Sequence, residues 1–294
     1  MKEYNNLLVC LDLTEMDGVL LRYARFLLHT LPKIKKVYFL HNIRFDYPEE
    51  AEGLMEELES PLPELIREEI TERIEMNFLN GERSDLEWEV LIKEGDSTAH
   101  EIVNTAKEQK VELTIFGKKL SYRGSGLVAE KLLRQSSFKS DLLVLPETTS
   151  HNLQKILVPI DFSSASKRAL ETAHYLSLEA DTTVVCQHVY TIPNHYFPFI
   201  PVQGFRKSME EEAEQSFKRF RQSLPKALQD IPCEFTYAQD RTRAESIYDF
   251  SINRNKDLIV IGSRGRGAVP SVLLGSTAIQ ILQFEFHIPV LVVR

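Results

Sequence analysis

Only three cysteines occur in 294 residues. Cys10, Cys186 and Cys233 show neither Cys-x-x-Cys spacing nor even pairing, which excludes a disulfide framework and a thiolate metal centre as organising features. They read as small buried apolar side chains, with Cys10 and Cys186 inside apparent core strands. No apolar run approaches the roughly 18 residues of a spanning helix, and Met1-Lys2-Glu3 leads straight into a strand and not into a signal peptide. No membrane partner and a cytoplasmic location are therefore the expectation. A long basic tract is also missing, and with a formal charge of -8 this argues against nucleic acid as the main partner. There is no His-x-x-x-His pair, clustered Cys/His set, Walker A loop, Gly-x-Ser-x-Gly elbow or kinase motif set, so neither a metal site nor a catalytic residue is expected.

What is present suits two soluble domains: 43% hydrophobic and 27% charged residues in 294, each half long enough to bury a core. The acidity is uneven. Up to Ser150 there are about 19 basic and 28 acidic residues, against about 16 and 15 afterwards, so the second half is near neutral and repels an anionic ligand less.

Apolar strand-like runs alternate with helical periodicity. Strands are expected at 6–13, 36–43, 86–93, 111–116 and 142–145. Helices are expected at 17–31, 99–107 and 127–135, with a long acidic helical region over 49–80 that Pro61 and Pro63 break or restart. Its glutamates form a solvated face. The polar, proline-bearing stretch 146–152 reads as a linker. Then the pattern begins again. Lys155 to Asp161, KILVPID, answers LLVCLD; TVVCQHVY at 183–190 answers VYFLHNI; 206–228 answers the acidic helix; 233–238, 244–254, 257–261 and 290–293 complete the set. Two copies of one α/β domain, offset by about 145 residues, account for this, with the boundaries set at 1–147 and 153–294. Each is a doubly wound parallel sheet.

The most distinctive stretch is 257–277, DLIVIGSRGRGAVPSVLLGST. A buried-type strand ends at Gly262, two residues later comes Gly265, and nine residues further Gly275-Ser276-Thr277 precedes a helical segment. Glycines allow backbone to approach an anion without a Cβ in the way, and the first N–H groups of a helix have no intrahelical partner. The pattern suits a phosphate cradle; the same residues also suit a tight turn followed by a helix cap. Arg264 and Arg266 are either extra cations for a phosphate or ordinary loop residues. His41 and His188, each late in an apolar strand, read as hydrogen-bonded core histidines.

The spacing Gly262-x2-Gly265-x9-Gly275-Ser276, a first strand ending in Pro159-Ile160-Asp161 and a second ending in His188-Val189 resemble the universal stress protein family, of the adenine-nucleotide-binding kind. The resemblance covers both repeats. It implies an adenine nucleotide alpha hydrolase-like, Rossmann-like fold: two tandem doubly wound five-stranded parallel domains packed as a pseudo-dimer through their last strands. A homodimer of such chains is left open. It also implies that Pro159 lines the base, Asp161 meets the adenine or ribose side, and Val189 contacts adenine through its backbone. Gly262 and Gly265 would hold ribose and phosphates, with Gly275, Ser276 and Thr277 taking the phosphates.

The first repeat departs from the pattern. Gly117 is kept, but Leu120 stands in place of the second glycine, and Glu130-Lys131 stands where Gly-Ser would fall, so a carboxylate is expected to repel phosphate there. Asp12, at the place of Asp161, reads as a helix cap. Lys118, Lys119, Gly124 and Gly126 read as surface lysines and a flexible loop, with a different anion site as the alternative. The function implied is a stress-response or signalling protein whose second domain binds ATP, ADP or AMP, with magnesium entering only through the nucleotide and without fast catalysis. A nucleotide-independent interaction module for an unknown protein partner is the alternative, and slow ATP hydrolysis a further one.

Overall fold

The computed structural model describes residues 3–44, 58, 60–79, 85–119, 125–192, 202–265, 274–284 and 287–294. The chain separates into two compact units, Glu3–His151 and Asn152–Arg294.

In the first unit the strands are β1 (Asn6–Leu11), β2 (Lys36–Ile43), β3 (Glu87–Glu94), β4 (Leu113–Lys118) and β5 (Asp141–Pro146), and the helices α1 (Met16–Thr30), α2 (Leu62–Asn77), α3 (Thr98–Glu108) and α4 (Ser125–Arg134). The order across the sheet is β3-β2-β1-β4-β5, all parallel. The second unit repeats this with β6 (Lys155–Pro159), α5 (Ser164–Ala180), β7 (Thr183–Tyr190), α6 (Val202–Gln222), β8 (Cys233–Tyr237), α7 (Arg243–Asn253), β9 (Leu258–Gly262), α8 (Ser276–Gln283) and β10 (Val290–Val293). Its order is β8-β7-β6-β9-β10, again parallel.

Helices on both faces bury the central strands, which is why they read as unbroken apolar runs: every residue of β5, β9 and β10 is buried. The outer strands β3 and β8 are mostly half-exposed and keep acidic residues in the run. The repeat also holds at the polar joints. Glu112 accepts the N–H groups of Asn5 and Asn6 at the start of β1. Asp257, its counterpart, accepts those of Gln154 and Lys155 at the start of β6.

Proline restarts the acidic helical region. Pro61 caps α2 in an extended conformation, with Pro63 in the first turn, where a missing N–H breaks no bond. Ile70, Ile74 and Phe78 are its buried stripe; the expected start at 49 lies outside the described residues. The helix expected over 206–228 ends at Gln222, and Pro225 opens a separate 3-10 turn, Lys226–Leu228. Cys10 and Cys186 are buried, and burial raises both thiols; Cys233, opposite Cys186 in the sheet, is half-buried and pushed up to about 12 by the same cause.

Candidate functional site

The carboxyl ends of β6, β7 and β9 open onto a cleft of about 430 Å3 in the second unit. Pro159, Asp161, Val189, Gly262, Gly265, Gly275, Ser276 and Thr277 all line it. Open parallel sheets place ligands in this position because the strand order reverses there and the flanking connections diverge.

Asp161 follows the last residues of β6 and is aimed by the turn behind it. Phe162 takes a left-handed backbone, φ 65°, a conformation that costs a non-glycine residue about 1 kcal/mol or more. Its ring compensates by stacking on His188 at 4.3 Å and lying near Phe220 at 5.7 Å. Asp161 Oδ1 accepts from the Ser163 N–H and, at 2.7 Å, from the Ser166 hydroxyl, which in turn accepts the Asp161 N–H. The carboxylate is thus held in one orientation at the cleft wall. His188 is also held, with Nδ1 2.9 Å from the Ile160 carbonyl.

Three glycines shape the rest by close approach. A Cβ on Gly262 would lie 2.8 Å from the backbone of Ala165, where α5 crosses β9. On Gly265 it would lie 2.9 Å from Asp161 Oδ2, and on Gly275 3.3 Å from the Gly265 nitrogen. The start of α8, the Gly265 backbone and the Asp161 carboxylate are therefore neighbours. Gly275 caps α8, and its own N–H is already bound to the Ser263 carbonyl at 2.7 Å. The first bond to the cap carbonyl comes from Ile279, so the N–H groups of Ser276, Thr277 and Ala278 are the ones without an intrahelical acceptor. Exposed Arg264 and Arg243 line the same cleft; Arg266 lies outside the described residues.

Sequence reasoning missed Ser166, Arg243 and Gln187, which also line this cleft. Gln187 is fully buried; its Nε2 donates to Thr236 Oγ1 at 2.9 Å, and Oε1 meets no partner among the described residues. The signal was one amide inside the apolar run VVCQHVY. For Ser166 it was the Ser-x-x-Ser spacing at the start of α5, where Ser163 caps the helix by accepting the Ser166 N–H.

The first unit has its own cleft at the equivalent strand ends, about 330 Å3. His41 binds the Leu11 carbonyl as His188 binds that of Ile160, and Leu13 repeats the left-handed turn at φ 61°. Burial lowers the His41 pKa, with the Leu11 carbonyl and Asp12 opposing. Asp12 differs from Asp161: it pairs with Lys119 at 2.8 Å and accepts from Thr14. Burial works to raise its carboxyl, but Lys119 and Thr14 outweigh that and leave it lowered. Asp17 stands where the second unit has Ser166, and accepts the Asp12 and Leu13 N–H groups at 2.9 Å each.

One expectation about this unit needs correction. Glu130 and Lys131 are not at a helix start; they lie in the second half of α4, where Glu130 pairs with Arg134. Gly117 pairs with Leu145 and Gly262 with Val293, so the first repeat reaches its last strand three residues sooner and its helix begins earlier. Leu120 and Gly124 lie outside the described residues. Among the described residues no group of three or more His, Cys, Asp and Glu side chains converges to hold a metal ion, and no helix is long and apolar enough to cross a membrane.

Fold and cleft define a tandem pair of doubly wound α/β domains, one with a glycine-built cradle at a helix start. A model described as "Universal stress protein family" matches residues 152–294. A universal stress protein of Thermus aquaticus is 31% identical over 141 residues, covering 47% of this chain and 97% of that protein. One from Methanocaldococcus jannaschii is 28% identical over 145 residues, covering 48% of this chain and 82% of the relative. The chain belongs to the universal stress protein family. A solved universal stress protein from Archaeoglobus fulgidus shares the fold across both repeats, with a TM-score of 0.64 at 19% identity, over 99% of this chain and 97% of that one.

Proposed function

We propose that the second unit binds ATP or a related adenine nucleotide, and that the protein serves as a nucleotide-dependent stress or signalling component and not as a fast catalyst. The first unit is its partner without that site. The observation that carries this reading is the close meeting of four backbones and one carboxylate: Gly262 against Ala165, Gly265 against Asp161, and Gly275 against Gly265. Side chains at these places would fill the space beside the free N–H groups of α8. A phosphate there gains the helix dipole, about 0.3–1 kcal/mol when exposed, as well as the charges of Arg264 and Arg243. The apolar wall of Pro159, Val189 and Ile247 suits a base, and Asp161 suits ribose hydroxyls or an exocyclic amine.

The test is a thermal shift with ATP. At 100 times the dissociation constant, ATP adds about 2.7 kcal/mol, and Gly275→Asp abolishes the gain by placing a carboxylate at the phosphate position. Gly275 has φ −73° and ψ 145°, a cap geometry that Asp adopts readily, but a Cβ there presses on the Gly265 nitrogen at 3.3 Å, so circular dichroism and ligand-free melting like those of the wild type are needed to establish that the variant folds. An unchanged shift in the variant refutes the reading.

A further inference from the structure

We propose that the first unit's cleft binds a small uncharged molecule, mainly apolar and carrying one N–H or O–H donor, and does not bind a nucleotide.

Equivalent places in the two clefts have changed chemistry together. The floor residue Gln187 of the second unit is Leu40 in the first, and the mouth residue Arg243 is Thr98. Ala165, the small residue over Gly262, becomes Met16 over Gly117. Each of these three exchanges removes polarity or adds apolar bulk, while Val189 becomes Asn42 and adds one amide. Yet the cleft has not collapsed: about 330 Å3 remains open, within the range of small-molecule sites. An unused cleft of this composition would gain by filling with side chains, since lining atoms without neighbours lose dispersion contacts.

Charge sets the class of ligand. Among the described lining residues the cation is Lys119, and its ammonium is 2.8 Å from Asp12, so the two present no net charge to a guest. A phosphate would have to displace Asp12 from Lys119, and an amine would have to displace Lys119 from Asp12. A neutral molecule disturbs neither.

Asn42 sets the polar end. Its Nδ2 donates to the Gly95 carbonyl at 2.8 Å and to Thr98 Oγ1 at 3.2 Å. Gly95 O can only accept, which fixes the amide with nitrogen on that side. Oδ1 is then left buried, with no donor among the described residues. Asn42 and Thr98 both line the cleft, so a guest N–H or O–H brought to this end supplies the bond Oδ1 lacks.

The experiment titrates the full chain with N-phenyl-1-naphthylamine, an uncharged apolar probe with one N–H whose emission rises out of water, with and without saturating Mg-ATP. One saturable site per chain that ATP does not displace is the expected result. Val128→Trp, which fills the cleft from a half-buried position on α4, weakens it roughly tenfold or more. Leu40→Gln also weakens it, by restoring a polar floor. Circular dichroism and melting like those of the wild type establish that both variants fold. No saturable binding, displacement by ATP, or unchanged affinity in folded Val128→Trp overturns the proposal.

Discussion

The same turn after the first strand holds Ser166 against Asp161 in one unit and Asp17 against Asp12 in the other. With Ser166, a hydroxyl both supports the Asp161 carboxylate and accepts its N–H. With Asp17, a second carboxylate takes over the backbone N–H groups, and Asp12 turns to Lys119. The backbone path is conserved down to the left-handed residue that follows, Phe162 or Leu13. Fold and site are thus separable here: the scaffold keeps its strands, joints and turn, while side chains at a few positions decide whether the cleft presents a carboxylate held by a serine hydroxyl, as at Asp161, or the Asp12–Lys119 ion pair.

The two conserved glycines break or sharpen this comparison most strongly. A Cβ on Gly262 meets Ala165 backbone at 2.8 Å, which cannot move without shifting α5. A Cβ on Gly117 meets the Met16 side chain at 2.6 Å, which can change rotamer. Gly262→Ala should therefore cost about 1–3 kcal/mol, and Gly117→Ala clearly less, in urea denaturation of the full chain. Equal losses would mean that the two helix crossings are alike after all.

A subtler difference is in pH dependence. Burial lifts the Asp17 carboxyl to about 6, with Asp12 adding to the rise and two backbone N–H groups and Arg73 opposing it. The folded state then holds a proton that the unfolded chain, with an ordinary carboxyl near 3.8, has released. The stabilising contribution is complete below about pH 4 and is lost as pH rises through 6. Asp17→Ser, which installs the second unit's residue, should remove that decline from urea midpoints taken between about pH 4 and 7. Parallel profiles for wild type and variant would show that Asp17 titrates normally.

Much of this architecture was legible in the sequence. The strands at 36–43, 183–190 and 290–293 have the expected bounds, because short β-branched runs between turn residues leave little choice when both faces are buried. Gly262, Gly265, Gly275 and Ser276 were legible through their ordered spacing, and Pro159, Asp161 and Val189 only through the resemblance to the family; all of them line the cleft. Glu130 and Lys131 were misplaced because counting through a loop assumes equal length, whereas α4 begins eight residues after Gly117 and α8 fourteen after Gly262. Gln187 and Asn42 could not be read as cleft residues, since strand alternation gives the face of a side chain but not its partners.

The central claim is that only one of two similar clefts takes an adenine nucleotide, and stoichiometry tests it most directly. Titration calorimetry of the purified, nucleotide-stripped chain with Mg-ATP should give one site per chain. Two sites would contradict the asymmetry between Asp161 with its glycines and Asp12 with Lys119, and no site would contradict the nucleotide reading itself.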